Sequence, residues 1–161
     1  LTLRKGDRRR EVLVQDYYIS YKKTVLETSE FIESISIPYL SENELFKAYK
    51  ISKRLEDDIS ASCAAIKICV QDNHIMDAKI AFGGMAEIPK RAGHAELALI
   101  KQDWSETTFE QAMKVLGSDF SPISDFRSSA DYRLAVSKNL LMRFFLEISQ
   151  GSDTTRVTHY A

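Results

Sequence analysis

The residues with the clearest capacity for chemistry are oppositely charged side chains wedged between two apolar runs. The first run, Phe46–Ile51, leads into six charged positions, and the second begins at Ile59; the charged positions are Lys50, Lys53, Arg54, Glu56, Asp57 and Asp58. Unpaired charges of both signs are costly to bury, so we expect them at a rim or at the mouth of a site. The residue types alone leave a second interpretation open, in which Lys50 protects a strand edge and Asp57 and Asp58 form a solvated turn.

The remaining residues that could bind metal or act as nucleophiles do not form a recognisable site. Cys63 and Cys69 would face the same side of a strand about 20 Å apart, at ~3.3 Å per residue, which excludes a disulfide. We expect both to be buried, reduced thiols. The chain has no Cys-x-x-Cys, and His74, His94 and His159 have no carboxylate at ligand spacing. We therefore predict no metal site within this chain and no catalytic residue among these side chains.

Length and composition indicate an ordinary globular chain. It has 161 residues, 44% hydrophobic and 28% charged, which fits one domain, or one large and one partial domain. A net charge of −1 gives no electrostatic footprint for nucleic acid or an anionic membrane. No apolar run approaches the ~20 residues of a membrane span, and there is no secretory pattern. Since the chain begins at Leu1 in an alternating run, we expect a piece of a longer polypeptide.

The hydrophobic pattern predicts strands first and helices afterwards. Predicted strands are Leu1–Lys5, Glu11–Val14, Phe31–Ile37, Leu45–Ser52, Ile59–Val70 and Ile75–Phe82. The alternation changes phase near Ala64–Ala65, so we predict a bulge there. Asp16–Lys23 is expected to be a short helical turn or loop. Gly6-Asp7 and Gln71–His74 have the composition of turns.

Three helices are predicted in the second half of the chain, at Gly93–Lys101, Trp104–Leu116 and Ala130–Ser149. Gly117 would end the second helix, and Ser128 with Asp131 would start the third with a capping-box-like pair. There is no Gly-x-Gly-x-x-Gly and no Walker motif. The pattern predicts an α+β fold, in which an antiparallel β-meander packs against helices.

Five segments, taken in order, resemble the flavoprotein part of the molybdenum-flavoprotein hydroxylases. They are RREVLVQDYYISYKK (9–23), SISIPY (34–39), FKAYKISKRLEDDI (46–59), IAFGGMA (80–86) and SDFRSSADYRLAVSKNLLMRFFLE (124–147). The aromatic-Lys to Arg-x-Glu-Asp-Asp-Ile segment and the Asp-Phe-Arg-x-Ser-x-x-Tyr-Arg segment are the most specific. Within the family the chain is most similar to the small, iron–sulfur and FAD subunit of bacterial xanthine dehydrogenases.

The resemblance implies a subdomain that closes over FAD, with a fold like the carbon monoxide dehydrogenase flavoprotein C-terminal domain. Residues 1–30 would end the preceding flavin-binding subdomain, 31–149 would form the C-terminal subdomain and 150–161 a disordered tail. The parent enzyme would pass electrons from two-iron clusters through FAD to NAD in the cytoplasm. Its partners would be upstream flavin and iron–sulfur domains and a molybdopterin-binding large subunit. The isolated fragment is expected to be inactive.

Carried over by position, the resemblance implies four cofactor-binding residues: Ile32, Lys50, Arg54 and Asp57. Lys50 would neutralise a flavin phosphate or negative charge on the ring, and a carboxylate beside the ring would have the opposite effect. Position 53 is Lys and position 55 is Leu, so the charge set differs from the mammalian pattern.

Two other functions stay open at this point. One is a non-catalytic module that docks a partner subunit through the sheet or the long helix. The other is the same subdomain from an aldehyde, nicotinate or carbon monoxide oxidoreductase.

Overall fold

The computed structural model describes residues 1–54, 57–151 and 155. Leu55 and Glu56 lie outside the described residues, as do His159 and most of the segment 150–161 that the sequence predicts to be a tail. The chain has two compact units, Leu1–Leu40 and Ser41–Ala161. Within the described part, no helix has the length and apolar character needed to cross a membrane.

The first unit contains two small antiparallel sheets. β1 (Thr2–Lys5), β2 (Arg8–Glu11) and β5 (Phe31–Ser34) form one sheet in the order β2-β1-β5, and β3 (Tyr18–Ser20) pairs with β4 (Lys23–Thr24). The predicted hairpin at Gly6-Asp7 is confirmed, because Lys5 and Arg8 are paired across it. The family boundary at residue 30 stays a prediction, but the compact units divide at residue 40 because β5 pairs with β1.

Two glutamates hold the strands and loops of this unit together through arginines. Glu30 accepts hydrogen bonds of 2.8 and 2.7 Å from Arg10, and Glu33 accepts from Arg9 and Arg4 at 2.6 to 2.9 Å. Hydrogen bonding to Arg10 lowers the pKa of Glu30 to about 2, and hydrogen bonding to Arg9 and Arg4 lowers the pKa of Glu33 to about 2.

The second unit contains the larger sheet and all three α-helices of the described chain. β6 (Glu44–Ile51), β7 (Ser62–Gln71), β8 (His74–Gly83) and β9 (Lys90–Arg91) form an antiparallel meander in that order. The helices are α1 (Gly93–Leu99), α2 (Glu106–Val115) and α3 (Ala130–Gln150). The predicted α+β fold, an antiparallel meander with helices, is therefore confirmed.

One face of this meander forms the core with the helices. Ile66 and Ile68 of β7 and Ile80 and Phe82 of β8 are fully or almost fully buried, in one cluster with Phe144 of α3. The turn between β7 and β8 is Asp72-Asn73, and φ values of 49° and 63° place both residues in the left-handed region. That geometry matches the right-handed twist of the strands it joins and confirms the predicted turn.

The opposite face of the meander carries small and charged side chains. Lys50, Cys63 and Gly83 lie side by side across three strands, and the next row is Ala48, Ala65 and Ala81. Lys50 and Cys63 are exposed and Cys69 is half-buried, so the prediction of two buried thiols is wrong. The physical reason is strand register, because odd positions of β7 point away from the helices.

Several predicted boundaries also differ from the structure. β7 begins at Ser62, and its buried and less buried residues alternate without interruption through Ala64 and Ile68. The irregularity in its pairing with β8 lies at Cys69/Val70 rather than at Ala64–Ala65. Alanines on both faces of β7 disguised this phase. β2 ends at Glu11 and is followed by a 3-10 turn, Val14–Asp16, while β5 ends at Ser34. Residues 16–23 hold the β3–β4 hairpin instead of a helical turn or loop.

Two predicted helix ends are wrong by one residue or one turn. Ser129, not Ser128, caps α3: its backbone is extended and its hydroxyl accepts a hydrogen bond from the Tyr132 N–H. α2 ends at Val115, and a 3-10 turn follows over Leu116–Ser118. Gly117 therefore lies inside this turn and does not cap the helix.

A buried polar group joins β6 to α3. The Tyr49 hydroxyl donates to Glu147 Oε2 at 2.9 Å, and Arg143 donates to Glu147 Oε1 at 2.7 Å. Burial, and then the bond to Glu147, raises the pKa of Tyr49. Burial alone would raise the pKa of Glu147, but hydrogen bonds from Thr155, Arg143 and Tyr49 lower it overall. This contact fixes the strand that carries Lys50 on its other face.

We predict that acid destabilises the first unit through Glu30 and Glu33. Because their folded pKa values lie below the ordinary 4.5, their contribution is complete above about pH 4.5 and is lost between pH 4.5 and 2. Glu30→Gln should flatten this acid dependence, measured as the pH at which NMR amide signals of β1, β2 and β5 disappear. Glu11→Gln, at an exposed position of β2, is the control. An identical midpoint in Glu30→Gln and the parent chain would contradict the assignment.

Candidate functional site

The charged loop, defined here as residues 52–61, connects β6 to β7. Its base is closed by the Ala61 N–H, which donates to the Ile51 carbonyl at 2.7 Å. Inside the loop, the Arg54 N–H donates to Asp58 Oδ2 at 3.0 Å, and Arg54 Nη2 donates to the Asp57 carbonyl at 3.1 Å. The hydrogen bond from the Arg54 backbone lowers the pKa of Asp58. Arg54 and Asp58 therefore largely satisfy each other within the loop.

Asp57 lies at the turn of this loop. Its φ of +50° is in the left-handed region, which Asp tolerates better than most residues. Its side chain is exposed and makes no hydrogen bond or ion pair with any other described residue. Asp57 thus presents a carboxylate to the surroundings of the loop.

Lys50 is also a free charge within the described part of the chain. It lies one position after buried Tyr49, so it projects from the outer face of the meander, opposite Cys63 of β7. The small side chains of Ala48 and Ala65 make the adjoining surface flat.

Three of the four predicted site residues lie in the second unit and one lies in the first. Arg54 and Asp57 are in contact, Lys50 stands on the strand that leads to them, and Ile32 belongs to the first unit, where it lies on β5 with 39% of its surface exposed.

A cleft of about 470 Å³ lies beside the charged loop. It is lined by residues 51–53 and Ala61 on one side and by residues 125–129 and Tyr132 on the other. Lys53 Nζ crosses to this second segment and donates to the Phe126 carbonyl at 2.7 Å. The Arg127 guanidinium stacks over the Phe126 ring, with 4.4 Å between its central carbon and the ring centroid.

Arg133 is the structural centre of this region, and sequence reasoning did not include it among the site residues. Its Nη1 donates to the carbonyls of Ala61 and Gly84 at 2.5 and 2.9 Å, and its Nη2 donates to Asp125 Oδ1 at 2.8 Å. The residue is only 3% exposed. Arg133 thus links the start of α3 to the preceding loop, and the same side chain also holds the end of the charged loop.

Asp125 balances the buried charge of Arg133. Burial would raise the pKa of Asp125, but hydrogen bonds from the Arg127 N–H, Arg133 and the Ser128 N–H lower it overall. The Asp-Phe-Arg-x-Ser-x-x-Tyr-Arg motif contained both partners of this pair. Their spacing of eight positions did not indicate a salt bridge, since only three-dimensional folding brings them to 2.8 Å.

The histidines require a correction. The sequence suggested no carboxylate partners, but His74 lies 3.1 Å from Asp103, and His94 lies 2.8 Å from Asp119. Asp119 also accepts the backbone N–H groups of His94 and Ala95 at the start of α1. These partners are distant in sequence, and both pairs have ordinary structural roles.

Gly84 permits the close approach of the segments around Arg133. Its φ is +81°, and a Cβ there would lie 2.6 Å from the Ala61 carbonyl oxygen and 3.2 Å from Arg133 Nη1. Gly84 therefore serves backbone contact with the end of the charged loop.

We predict that Gly84→Ala displaces the charged loop and lowers the free energy of unfolding. The methyl group would combine left-handed strain with a clash against backbone, whereas Gly6→Ala meets comparable strain, at φ +59°, in open space. The clash should make the loss at Gly84 exceed that at Gly6 by about 1 kcal/mol or more, measured by denaturant unfolding. Equal losses in the two variants would show that the contact with Ala61 is dispensable.

Comparisons with known proteins agree with this architecture. The family described as the CO dehydrogenase flavoprotein C-terminal domain matches residues 47–148. Carbon monoxide dehydrogenase from Hydrogenophaga pseudoflava has the same fold, with a TM-score of 0.82 and 22% identity over 88% of this chain and 49% of that chain.

Two curated relatives cover most of this chain. Xanthine dehydrogenase/oxidase of Gallus gallus is 28% identical over 155 residues, 93% of this chain and 11% of that protein. Nicotinate hydroxylase of Emericella nidulans is 31% identical over 144 residues, 85% of this chain and 11% of that protein. The chain spans about a tenth of the length of these relatives. The resemblance to molybdenum-flavoprotein hydroxylases is confirmed, and the chain belongs to the family of CO dehydrogenase flavoprotein C-terminal domains.

Proposed function

We propose that this chain is the FAD-closing subdomain of a molybdenum-containing hydroxylase of the xanthine dehydrogenase type. The family match carries the proposal, because residues 47–148 include Lys50, the charged loop and Arg133 with the groups it binds. The proposed enzyme would pass electrons from iron–sulfur clusters through FAD to NAD, in the cytoplasm. Upstream flavin and iron–sulfur domains and a molybdopterin-binding subunit would be its partners.

The residues present fit a flavin. Lys50 offers an ammonium group with no described partner on a flat face of small side chains, which a planar ring or a phosphate can approach. FAD, when bound, would supply the electron transfer. Lys50 would compensate negative charge on the cofactor, and Ile32 would offer apolar contact from the first unit.

The charged loop would act on the electron acceptor, NAD. Arg54 is occupied by Asp57 and Asp58, so its role would be to hold the loop in shape. Asp57 presents a carboxylate that would oppose added negative charge nearby and thereby favour transfer to a nicotinamide acceptor. The isolated 161-residue chain is expected to be colourless and inactive.

Two alternatives to this proposal remain: one is a hydroxylase with a different substrate, and the other is a protein with no catalytic role. The nicotinate hydroxylase relative, at 31% identity, supports another heterocycle as substrate of the complete enzyme. A non-catalytic docking module would use the outer face of the meander, and this alternative predicts that flavin retention does not depend on Lys50.

We predict that Lys50→Ala in the assembled enzyme weakens FAD retention about tenfold, equivalent to loss of one charge-assisted hydrogen bond of ~1.5 kcal/mol. The measurement is the flavin-to-protein ratio after dialysis. Lys79→Ala is the matched control, because Lys79 lies on the same face of the meander beside Lys67 rather than Cys63. Equal flavin retention in Lys50→Ala and the parent enzyme would favour the docking module.

We predict that Asp57→Asn leaves flavin content unchanged and alters the rate of NAD reduction severalfold. Asn tolerates the left-handed backbone of position 57, so this variant removes the charge with little strain. Steady-state rates with NAD and with an artificial dye acceptor separate the effect on nicotinamide from a general loss of electron transfer. If both rates match those of the parent enzyme, the carboxylate is only part of a solvated turn.

A further inference from the structure

The strand that carries Lys50 is held by a neighbouring strand on one side only. Among the described strands, β6 pairs with β7 alone, in antiparallel register from Glu44 to Ile51, and it lies at the end of the order β6-β7-β8-β9. A strand at such an edge leaves a row of backbone N–H and C=O groups without a strand partner. The position of β6 against the helices therefore depends on the side chains of its inner face.

Tyr49 is the main inner-face contact of β6. It is the only buried residue of the strand, at 8% exposure, while Leu45 and Ile51 are half-buried against the core. Its hydroxyl donates at 2.9 Å to Glu147, which is the only buried carboxylate of α3. This bond, between residues 98 positions apart, ties the edge strand to the long helix.

Glu147 is itself held in one orientation. Arg143, one turn earlier in α3, donates from Nε to Glu147 Oε1 at 2.7 Å, and the Thr155 hydroxyl donates to the same oxygen. The Arg143 guanidinium also lies over the Tyr49 ring, with 5.0 Å between its central carbon and the ring centroid. A buried carboxylate is tolerated only with such partners, and here they hold the Tyr49 ring by its face and by its hydroxyl.

Lys50 follows Tyr49 directly, so its side chain leaves the opposite face of the same strand. Since this side chain has no partner among the described residues, the backbone of β6 decides where the ammonium can reach. Hydrogen bonds need a narrow range of distances, so a shift of β6 by about 1 Å would break a bond from Lys50 to a ligand on the outer face.

We infer that Tyr49 and Glu147 are positioning residues for Lys50, although both lie on the helix side of the meander. The inference rests on the proposed function for its consequence, because Lys50 is the group proposed to compensate negative charge on FAD. With the Tyr49–Glu147 bond intact, β6 presents the ammonium from one fixed point beside Cys63. Retention of the cofactor then depends on two buried residues on the other side of the sheet.

The first test is hydrogen–deuterium exchange of the full 161-residue chain without flavin, followed by mass spectrometry of peptides covering β6. Tyr49→Phe removes only the hydroxyl, and Glu147 keeps its two other donors, so we expect the variant to fold. Exchange in β6 should become about fivefold faster, as expected for the loss of one buried hydrogen bond. Exchange between β7 and β8 should be unchanged.

Ser137→Ala is the matched control for both tests. It removes another buried hydroxyl of α3, which lies 2.8 Å from the hydroxyl of Ser62 on β7, and it leaves the Tyr49 bond intact. Exchange in β6 should therefore stay at the parent rate in this variant.

The second test is a double-mutant cycle on FAD retention in the assembled enzyme, measured as the flavin-to-protein ratio after dialysis. Tyr49→Phe should lower retention severalfold when Lys50 is present and should add nothing in the Lys50→Ala background, because both changes remove the same positioned charge. Ser137→Ala should leave retention unchanged. A general loss of stability would lower retention in both backgrounds, so the cycle separates positioning from a merely structural role.

Unchanged exchange of β6 in Tyr49→Phe overturns the idea that Tyr49 holds this strand. Equal losses of flavin from Tyr49→Phe with and without Lys50, or no loss at all, overturn the positioning role. Parental retention in Lys50→Ala contradicts the proposed function and with it the positioning role. The exchange measurement involves no flavin, so it still decides whether Tyr49 holds β6 in place.

Discussion

A buried positive charge organises the region around the charged loop. The guanidinium of Arg133 is almost fully removed from water, and such a charge is tolerated only with well-placed partners. Its two terminal nitrogens bind the carbonyls of Ala61 and Gly84 and the carboxylate of Asp125, while Nε is the one buried side-chain polar atom of the described residues without a partner. The start of α3, the end of β8 and the start of β7 therefore converge on one side chain.

The core supports this arrangement from the other side of the meander. β7 and β8 place isoleucines and Phe82 against the helices, and α3 contributes Phe144 to the same cluster. The Tyr49–Glu147 bond then ties β6 to α3 through polar atoms. Since β6 is anchored by its inner face, the backbone at Lys50 is held in place, although the Lys50 side chain has no partner among the described residues.

Charge is distributed differently in the two units. In the first, glutamates and arginines pair across strands and loops, and the carboxylates keep their negative charge far below neutral pH. In the second, Arg54 pairs with Asp58 inside the charged loop and Arg133 pairs with Asp125 beside it. The side chains of Lys50 and Asp57 are exposed. A site that must respond to changing charge on a cofactor needs such uncompensated groups, and this contrast supports the proposal that Lys50 and Asp57 act there.

Local pattern in the sequence was sufficient for the architecture of the second unit. Alternation predicted β6 and β8, helical periodicity predicted all three α-helices, and the Asp72-Asn73 turn follows from residues that accept left-handed backbone. The same local reasoning failed at β7, where alanines on both faces concealed the phase, and it therefore placed Cys63 inside instead of outside. The motif segments were sufficient to identify the family.

Tertiary structure alone decided which charges are free and which are paired. Arg54, Asp57 and Asp58 are close in sequence, but only the folded loop shows that Arg54 is bonded and that the Asp57 carboxylate has no partner among the described residues. Lys53 and Phe126 are 73 positions apart, and Arg133 and Ala61 are 72 positions apart. The energy of a hydrogen bond depends on distance and burial rather than on sequence spacing, so the sequence determined the elements and the family, and the fold determined the geometry of the site.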